Sequence, residues 1–543
     1  MKKYSIVIIT ALIILLVFAG CTKSTTPTDN KDTTPKYGNM YRIGSIGEPT
    51  TFSPVFATDA RSSFIINLLF DSLLDTDENL EIKAQIAKTW DISEDGLELT
   101  FYLRDDVYFH DGEKLNADDV EFTYNVVLHD DYAGVRKEDL KFVDSVEAVD
   151  DHTFKIYMTK PDAALMFSVA SSSFGIMPKH IFEDTAIAEI KEHENSWDPI
   201  GTGPYKFKEY TSGQRIVLEA NEDYYDGAPQ IKTILEKVYQ DSQVMLAAFE
   251  NGDLDYFGSI PKDDVDRVQE TLKDEMQFKR TPALQYNYIG LKQTHPIFKN
   301  KTVRHAMMHA LDRKIIIDTI FRGYGTMINS AGVPFQWSYS PKAKLYDGGS
   351  AEAIRLLEQA GWSTVGDDGI RVNESGERFS FTLVTGSGNE ERSNMLAMIK
   401  QQWKEVGIEM EVEEMETSVL FEKYLDAFNF DAYFWGWNLG LDPDCSSMFH
   451  SSSGRDKDGN PAGFNDVEIY NEELDSLLDQ GRSIYDIEER KVIYHQVQEL
   501  LNEELPYIFL YTTDSVQAMH KRINNDVWSP LGPMWIHKWS IEE

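Results

Sequence analysis

Three consecutive segments restrict the fold more than anything else in the chain. Phe379 to Val384 is a strand-like run, Glu391 to Val406 sets Leu396, Ile399 and Trp403 on one helical face before Gly407, and Ile408 to Val412 is extended again. Strand, helix and strand in that order form a βαβ unit, so the two strands are parallel. An α/β fold follows. Two further helices are expected nearby, Ala351 to Ala360 capped by Ser350 and Gly361, and Lys301 to Phe321 stopped near Gly323. Ser242 to Phe249 reads as a shorter helix closed by Asn251-Gly252, after which Leu254, Tyr256 and Phe257 resume a strand. The two halves share this construction without an internal sequence repeat.

The first residues are not part of that fold. Lys2 and Lys3 precede an apolar run from Ile6 to Ala19, the layout of a secretory signal and too short to span a bilayer comfortably. It ends Phe18-Ala19-Gly20-Cys21, which resembles a bacterial lipobox with Phe18 where leucine is usual; cleavage before Cys21 and lipidation of its thiol are expected. Residues 22–37 are rich in Thr, Pro, Asp and Lys and have no apolar periodicity, so they read as a tether. Lipid and tether together place the body outside the cytoplasm, close to a membrane face.

Composition narrows what that body does. The formal charge of -39 becomes -41 once Lys2 and Lys3 leave with the signal, which argues against nucleic acid as a partner. Of two cysteines, Cys21 is expected to carry lipid, in which case Cys445 has no disulfide partner and reads as a small buried hydrophobe.

From about residue 80 to 196 the pattern is a compact α+β unit. Leu97, Leu99, Phe101 and Leu103 alternate with polar residues, Asn116 caps a helix whose apolar face is Val120, Tyr124 and Val127, and Phe154, Ile156 and Met158 form another strand. The Gly201-Thr202-Gly203 that follows is no phosphate cradle, because Pro204 to Phe207 leads into a strand and not a helix N-terminus.

The stretch Phe430 to His450, FDAYFWGWNLGLDPDCSSMFH, looks as if it lines something. Phe430, Ala432 and Phe434 alternate with Asp431, Tyr433 and Trp435 as in a strand, which Gly436, Gly440 and Pro443 then stop. Large aromatics beside glycine-freed backbone suit a binding pocket. A core strand with its exit turn fits the same pattern.

Other chemistries lack their residues. No Gly-x-Ser-x-Gly or His-Glu-x-x-His is present, so a hydrolase is not expected. His305 and His309 share a helix face without a carboxylate between them, and the Asp456 to Asn460 loop has its glycine at the wrong place for an EF-hand. No enzyme activity, metal or cofactor is expected.

Motifs along the whole body carry a resemblance: Glu48-Pro49-Thr50-Thr51-Phe52-Ser53-Pro54, the run AKTWDISEDGLELTFYLRDDVYFHDGEKLNADDVEFTY, Met177 to His180, Gly201 to Tyr205, Asn221 to Gly227, Asn251 to Asp255, Val303 to Arg313 and Leu505 to Tyr511. The chain resembles the family 5 extracellular solute-binding proteins, the oligopeptide and dipeptide receptors of ABC importers. The resemblance implies a type II periplasmic-binding-protein fold of two α/β lobes plus an extra domain. Mapped here, lobe I is 38–80, 197–282 and 509–543, the extra domain 81–196 and lobe II 283–508, with hinges near Thr281-Pro282 and Tyr511-Thr513.

It further implies a monomeric receptor that captures oligopeptides between the lobes and delivers them to permease subunits. An extended peptide would pair its backbone with protein strands while pockets take its side chains. The implied ligand-binding residues are Tyr433, Trp435, Gly436, Trp437, Asn438, Leu439, Gly440 and Asp442 in lobe II, with Thr50, Thr51, Tyr286 and Asn287. Peptide-binding members often carry an Asp shortly after the tryptophan equivalent to Trp437; here Asn438 to Leu441 intervene, so the ammonium anchor is either Asp442 or absent. An oligosaccharide or a nickel complex stays open as ligand, and a structural surface lipoprotein is the alternative of another class.

Overall fold

A computed structural model describes residues 39–542, and the expected signal, Cys21 and tether lie outside the described residues. In chain order, β1 (Met40–Ile46) leads through the Glu48 to Pro54 loop to α1 (Ala60–Leu69). A separate antiparallel sheet follows, made of β2 (Ala87–Ile92), β3 (Glu98–Leu103), β4 (Val143–Asp150) and β5 (Thr153–Met158) in the order β2-β3-β5-β4, with α2 (Ala117–Leu128) packed on it. Alternation gave this sheet its inner face: Leu99, Phe101, Phe154 and Ile156 are fully buried. Asn116 caps α2 through a complete capping box, its side chain accepting from Asp118 N while Asp119 reaches back to the Asn116 N–H.

The main sheet then resumes with β6 (Tyr205–Thr211), β7 (Arg215–Ala220) and β8 (Thr233–Tyr239), the helix α3 (Ser242–Glu250) and β9 (Tyr256–Phe257). Two strands in succession, β10 (Met276–Pro282) and β11 (Gln285–Leu291), carry the chain onward to α4 (Lys301–His309), α5 (Arg313–Ile320) and α6 (Gly349–Gln359). The βαβ unit is β12 (Ser380–Gly386), α7 (Glu390–Glu405) and β13 (Glu409–Met415), and β12 and β13 are parallel from Ser380↔Glu409 to Gly386↔Met415. Last come β14 (Ala432–Asn438), α8 (Glu472–Ser483), α9 (Ile487–Glu504) and the 14-residue β15 (Tyr507–His520).

These strands form one sheet in the order β13-β12-β14-β11-β15-β9-β1-β8-β7-β6. β15 joins its two halves, pairing with β11 through Tyr507 to Tyr511 and with β10 through Asp514 to His520. The chain therefore crosses twice between the halves, at residues 282–285 and 511–514. Buried apolar side chains collect accordingly: one core draws on residues 286–511, another on 55–190, and two smaller ones flank the β1 half.

Two helix expectations need correction. Lys301 to Phe321 is two helices and not one, because Asp312 leaves helical geometry (φ -86°, ψ 85°) to cap α5 by accepting from Ile315 N. Ser350 does not cap α6; the helix starts one residue earlier, after Gly348.

The Gly201-Thr202-Gly203 turn serves close packing. Gly203 N donates to Leu69 O at the end of α1, His110 N donates to Gly201 O, and a Cβ on Gly201 would lie 2.0 Å from Leu69 O. Backbone cannot yield there as a side chain would, so Gly201→Ala is expected to cost about 3 kcal/mol or more. Urea unfolding should show a lowered midpoint at unchanged slope; a midpoint equal to wild type would mean the turn is not tightly packed.

Candidate functional site

The site grows from β14. Its register with β11 runs from Ala432↔Leu291 to Asn438↔Gln285, so its C-terminal end lies at the crossing. In the other half, β1 runs parallel to β9, and β9 pairs Tyr256 with Met519 and Phe257 with Ala518 on β15. Following β1 forward thus also leads toward the crossing, which brings the Glu48 to Thr51 loop to that side. Strand ends from both halves converge where the chain passes between them.

Alternation divides the aromatic strand. Tyr433, Trp435 and Trp437 share one face with their partners Gly290, Tyr288 and Tyr286. Trp437 is half-buried, with its ring edge on Phe464 at 5.7 Å and its indole N–H donating to Tyr507 OH at 3.4 Å. Trp435 is half-buried against Phe421, Asn438 is exposed at the strand end, and Leu439 N donates to Leu284 O. Gly436 opposes Asn287, whose amide oxygen would lie 2.9 Å from an added Cβ; glycine lets that side chain lie across the strand. A cavity of about 230 Å³ opens here, lined by Gln336, Trp437, Leu439, Asp442, Met448 and Phe464 among others, with Cys445 buried at its wall. A larger hollow of about 530 Å³ lies at the opposite end of the same strands, around Lys292, His295, Thr382, Glu413 and Asp431. Being polar, open and remote from the crossing, it is not the interlobe site, despite its size.

Three of the expected ligand contacts are buried. Tyr433 has no exposed surface; its hydroxyl donates to Asp466 at 2.8 Å and sits 3.0 Å from Tyr288 OH, inside the core. Tyr286 stands next to Trp437 but lies beneath Met448, with 4.0 Å from its hydroxyl to Sδ, so it backs the cavity without lining it. Thr51 is buried and holds its own loop, accepting from Ser53 N. Thr50 is exposed, its hydroxyl donating to Asp59, the N-cap of α1.

Asp442 is not a free carboxylate. Its Oδ1 accepts from Arg490 Nη2 at 3.0 Å and from Asp444 N at 2.9 Å, and its Oδ2 lies 2.7 Å from Nη1, off the N–H axis. Arg490 side chain is 2% exposed and Asp442 11%. Burial works to lower the pKa of that guanidinium, yet the charge and hydrogen bond of Asp442 hold it above its ordinary value. No single sequence motif pointed to Arg490, forty-eight residues away on α9, or to Phe464 and Gln336; only the fold assembles them.

Behind Trp437 a buried tyrosine cluster leads to Asp466. Tyr288 stacks on Tyr507 at 3.8 Å, Tyr433 bonds Tyr288, and Asp466 accepts from Tyr433. Burial pushes the Asp466 carboxyl up to about 7, against the hydrogen bond from Tyr433 that favours its ionised form.

Two outcomes are expected. Asp442→Asn leaves Arg490 buried and uncompensated, so stability should fall by about 3–5 kcal/mol, and Asp442→Asn with Arg490→Met should recover most of it; denaturant titration of the three proteins checks this, and an unchanged single variant would show the pair to be idle. For Asp466 the native carboxyl binds its proton more tightly than the unfolded one does. Its contribution is therefore complete below about pH 4 and lost as pH rises through about 7, at most about 4 kcal/mol. Asp466→Asn should flatten that fall when stability is compared at about pH 5 and about pH 7.

Comparison with known proteins agrees with this architecture. The model for bacterial extracellular solute-binding proteins, family 5 (middle region), matches residues 81–459. Oligopeptide-binding protein AppA of Bacillus subtilis is 33% identical over 99% of both chains, and its structure in complex with a nonapeptide covers 93% of this chain and 99% of its own, with a TM-score of 0.69. Heme-binding protein A of Haemophilus influenzae is 26% identical over 95% of both chains. NikZ of Campylobacter jejuni, in complex with Ni(L-His), covers 92% of this chain and 99% of its own at 26% identity and a TM-score of 0.70. With a sheet whose two halves are joined by paired crossings and an aromatic cavity at the strand end beside them, the chain belongs to the family 5 extracellular solute-binding proteins, the binding components of ABC importers.

Proposed function

We propose that the protein is an oligopeptide receptor, tethered to the outer face of the cytoplasmic membrane by lipid on Cys21, that passes its ligand to an ABC permease. The lobes would be 38–80 with 197–282 and 509–543, and 283–508, with 81–196 as the extra domain. The observation that carries the reading is the Trp437 cavity at the crossing, in a chain alignable end to end with an oligopeptide-binding relative. Trp435, Trp437, Asn438, Leu439 and Gly440 would meet the ligand from one lobe, and the Thr50 loop from the other. Free backbone at the strand end suits main-chain pairing that ignores ligand sequence.

One observation favours a second reading. Asp442, the carboxylate best placed for a terminal ammonium, already has Arg490 as its partner. A ligand without an ammonium, such as a metal complex or a saccharide, would find the same aromatic wall. A relative named as heme-binding and another in complex with Ni(L-His) support this second reading.

Calorimetry with a peptide pool, and with free and N-acetylated forms of one peptide that binds, decides between them. Under the peptide reading the pool binds, and acetylation changes affinity by less than about tenfold, since no free carboxylate waits for the amine. A pool that fails to bind, while a metal complex or saccharide does, would favour the second reading. Ligand is also expected to close the lobes, because differential affinity for the closed state drives the change; small-angle scattering should show a smaller radius of gyration at saturation, and an unchanged one would count against closure.

A further inference from the structure

Arg482, in the last turn of α8, is met by carboxylates from two distant parts of the chain. Its Nη2 lies 3.2 Å from Asp162 Oδ1, its Nη1 3.3 Å from Asp444 Oδ2, and its guanidinium 4.9 Å from the centre of the Phe142 ring. Asp162 follows β5 in the four-stranded unit, whereas Asp444 belongs to the turn that frames the Trp437 cavity. The side chains of Arg482, Asp162 and Asp444 are 17%, 7% and 15% exposed, so solvent screens the bridge poorly.

The bridge is the charged part of a wider seam. Ala163 N donates to Arg482 O at 2.7 Å, Asp162 N to Tyr485 OH at 3.2 Å, and Tyr485 OH to Gly96 O at 3.2 Å. On the cavity side, Asp444 uses its other oxygen to accept from Ser446 N, which starts the short helix Ser446–Phe449 carrying Met448 into the cavity wall. The Asp444 N–H donates to Asp442, itself held by Arg490, and Arg490 Nε donates to Gly481 O next to Arg482. Three carboxylates and two guanidiniums thus tie the cavity turn to the four-stranded unit through one helix end. Neutral loss of Arg482 would leave Asp162 and Asp444 close together and unpaired, and their repulsion would push the two parts away from each other.

We propose that Arg482 is a positioning residue that holds the cavity turn in its binding geometry by tying Asp444 to Asp162, so that ligand affinity depends on a carboxylate outside the cavity. This rests on the receptor reading above. Reciprocity then requires that ligand in the cavity strengthens the seam.

The informative variant is Asp162→Asn, since Asp162 does not line the Trp437 cavity. For a peptide that the wild type binds, affinity should fall about tenfold, within the usual range of coupling between sites. Arg482→Met should lose at least as much, and Asp162→Asn with Arg482→Met no more than Arg482→Met alone. Tyr485→Phe removes two hydrogen bonds of the seam but no charge, and should lower Tm while leaving affinity unchanged. Equal affinity in Asp162→Asn, additive losses in the double variant, or a matching loss in Tyr485→Phe would overturn the proposal. Amide hydrogen exchange over residues 442–448 tests it without ligand: rates should rise in Asp162→Asn and not in Tyr485→Phe, and unaltered rates would overturn it. Failure of the wild type to bind peptide would instead sink the peptide reading and leave the exchange result to decide this one.

Discussion

Everything in the molecule hangs on the pairing of β15 with two strands that follow one another in the chain. One 14-residue strand bonds β11 in one half and β10 in the other, so that both crossings run side by side and antiparallel. Between the two ladders Ala283 N donates to Thr513 O, Thr512 Oγ1 to Ala283 O and Gln285 Nε2 to Thr513 Oγ1, and the short strand Gly325–Met327 pairs with Tyr511 to Thr513 on the other side. Pro282, opposite Asp514, has no N–H to give, and the Asp514 N–H points away from it to Tyr324 O, so proline interrupts no rung there. A narrow ribbon twists more readily than a broad sheet. The residues that join the two halves thus form a ribbon narrower than the sheet on either side, and the proposed ligand site lies beside them, at the end of β14.

The elements that the sequence made legible were those set by local rules. The βαβ unit, the Asn116 cap and the alternating strands of the small sheet follow from periodicity and capping, which neighbours in sequence decide. The break between α4 and α5 was hidden because Lys301 to Phe321 keeps helical periodicity; the stop is made by the side chain of Asp312 capping the next helix. In the candidate site, the aromatic turn was legible and its partners were not. Whether Tyr433 faces ligand or core depends on Asp466 and Tyr288, and whether Asp442 is free depends on Arg490. Such facts are products of tertiary contact, so no reading of residues 430–450 alone could supply them.

The chain carries a large excess of acid, yet arginines organise the site. Most of the 91 carboxylates are matters of solubility and long-range field. Around the cavity turn the balance differs: Asp442, Asp444 and Asp162 meet Arg490 and Arg482 at low exposure, where one planar guanidinium serves two acids and the other an acid and a backbone carbonyl. Lysine has no fork to do this with. The carboxylates of the turn are thereby spent on structure before any ligand arrives.

That expenditure bears on recognition. A receptor for varied cargo cannot rely on one strong charge contact, since a pre-formed anion would favour whichever ligand brings the matching cation. Here the cavity wall offers Trp437, Leu439, Met448 and Phe464, with Gln336 and Asn438 at hand for orientation, and its nearby acids are neutralised by partners. Aromatic and thioether surfaces discriminate weakly among apolar groups and adapt to their shape. Affinity in such a site must come from backbone pairing, from desolvation and from how firmly the turn is held beforehand, because ordering a loose turn on binding costs free energy that the contacts then have to offset. Under the receptor reading, buried Arg490 and half-buried Arg482, holding the turn in the empty protein, reduce that cost for every ligand alike and so favour affinity without narrowing choice.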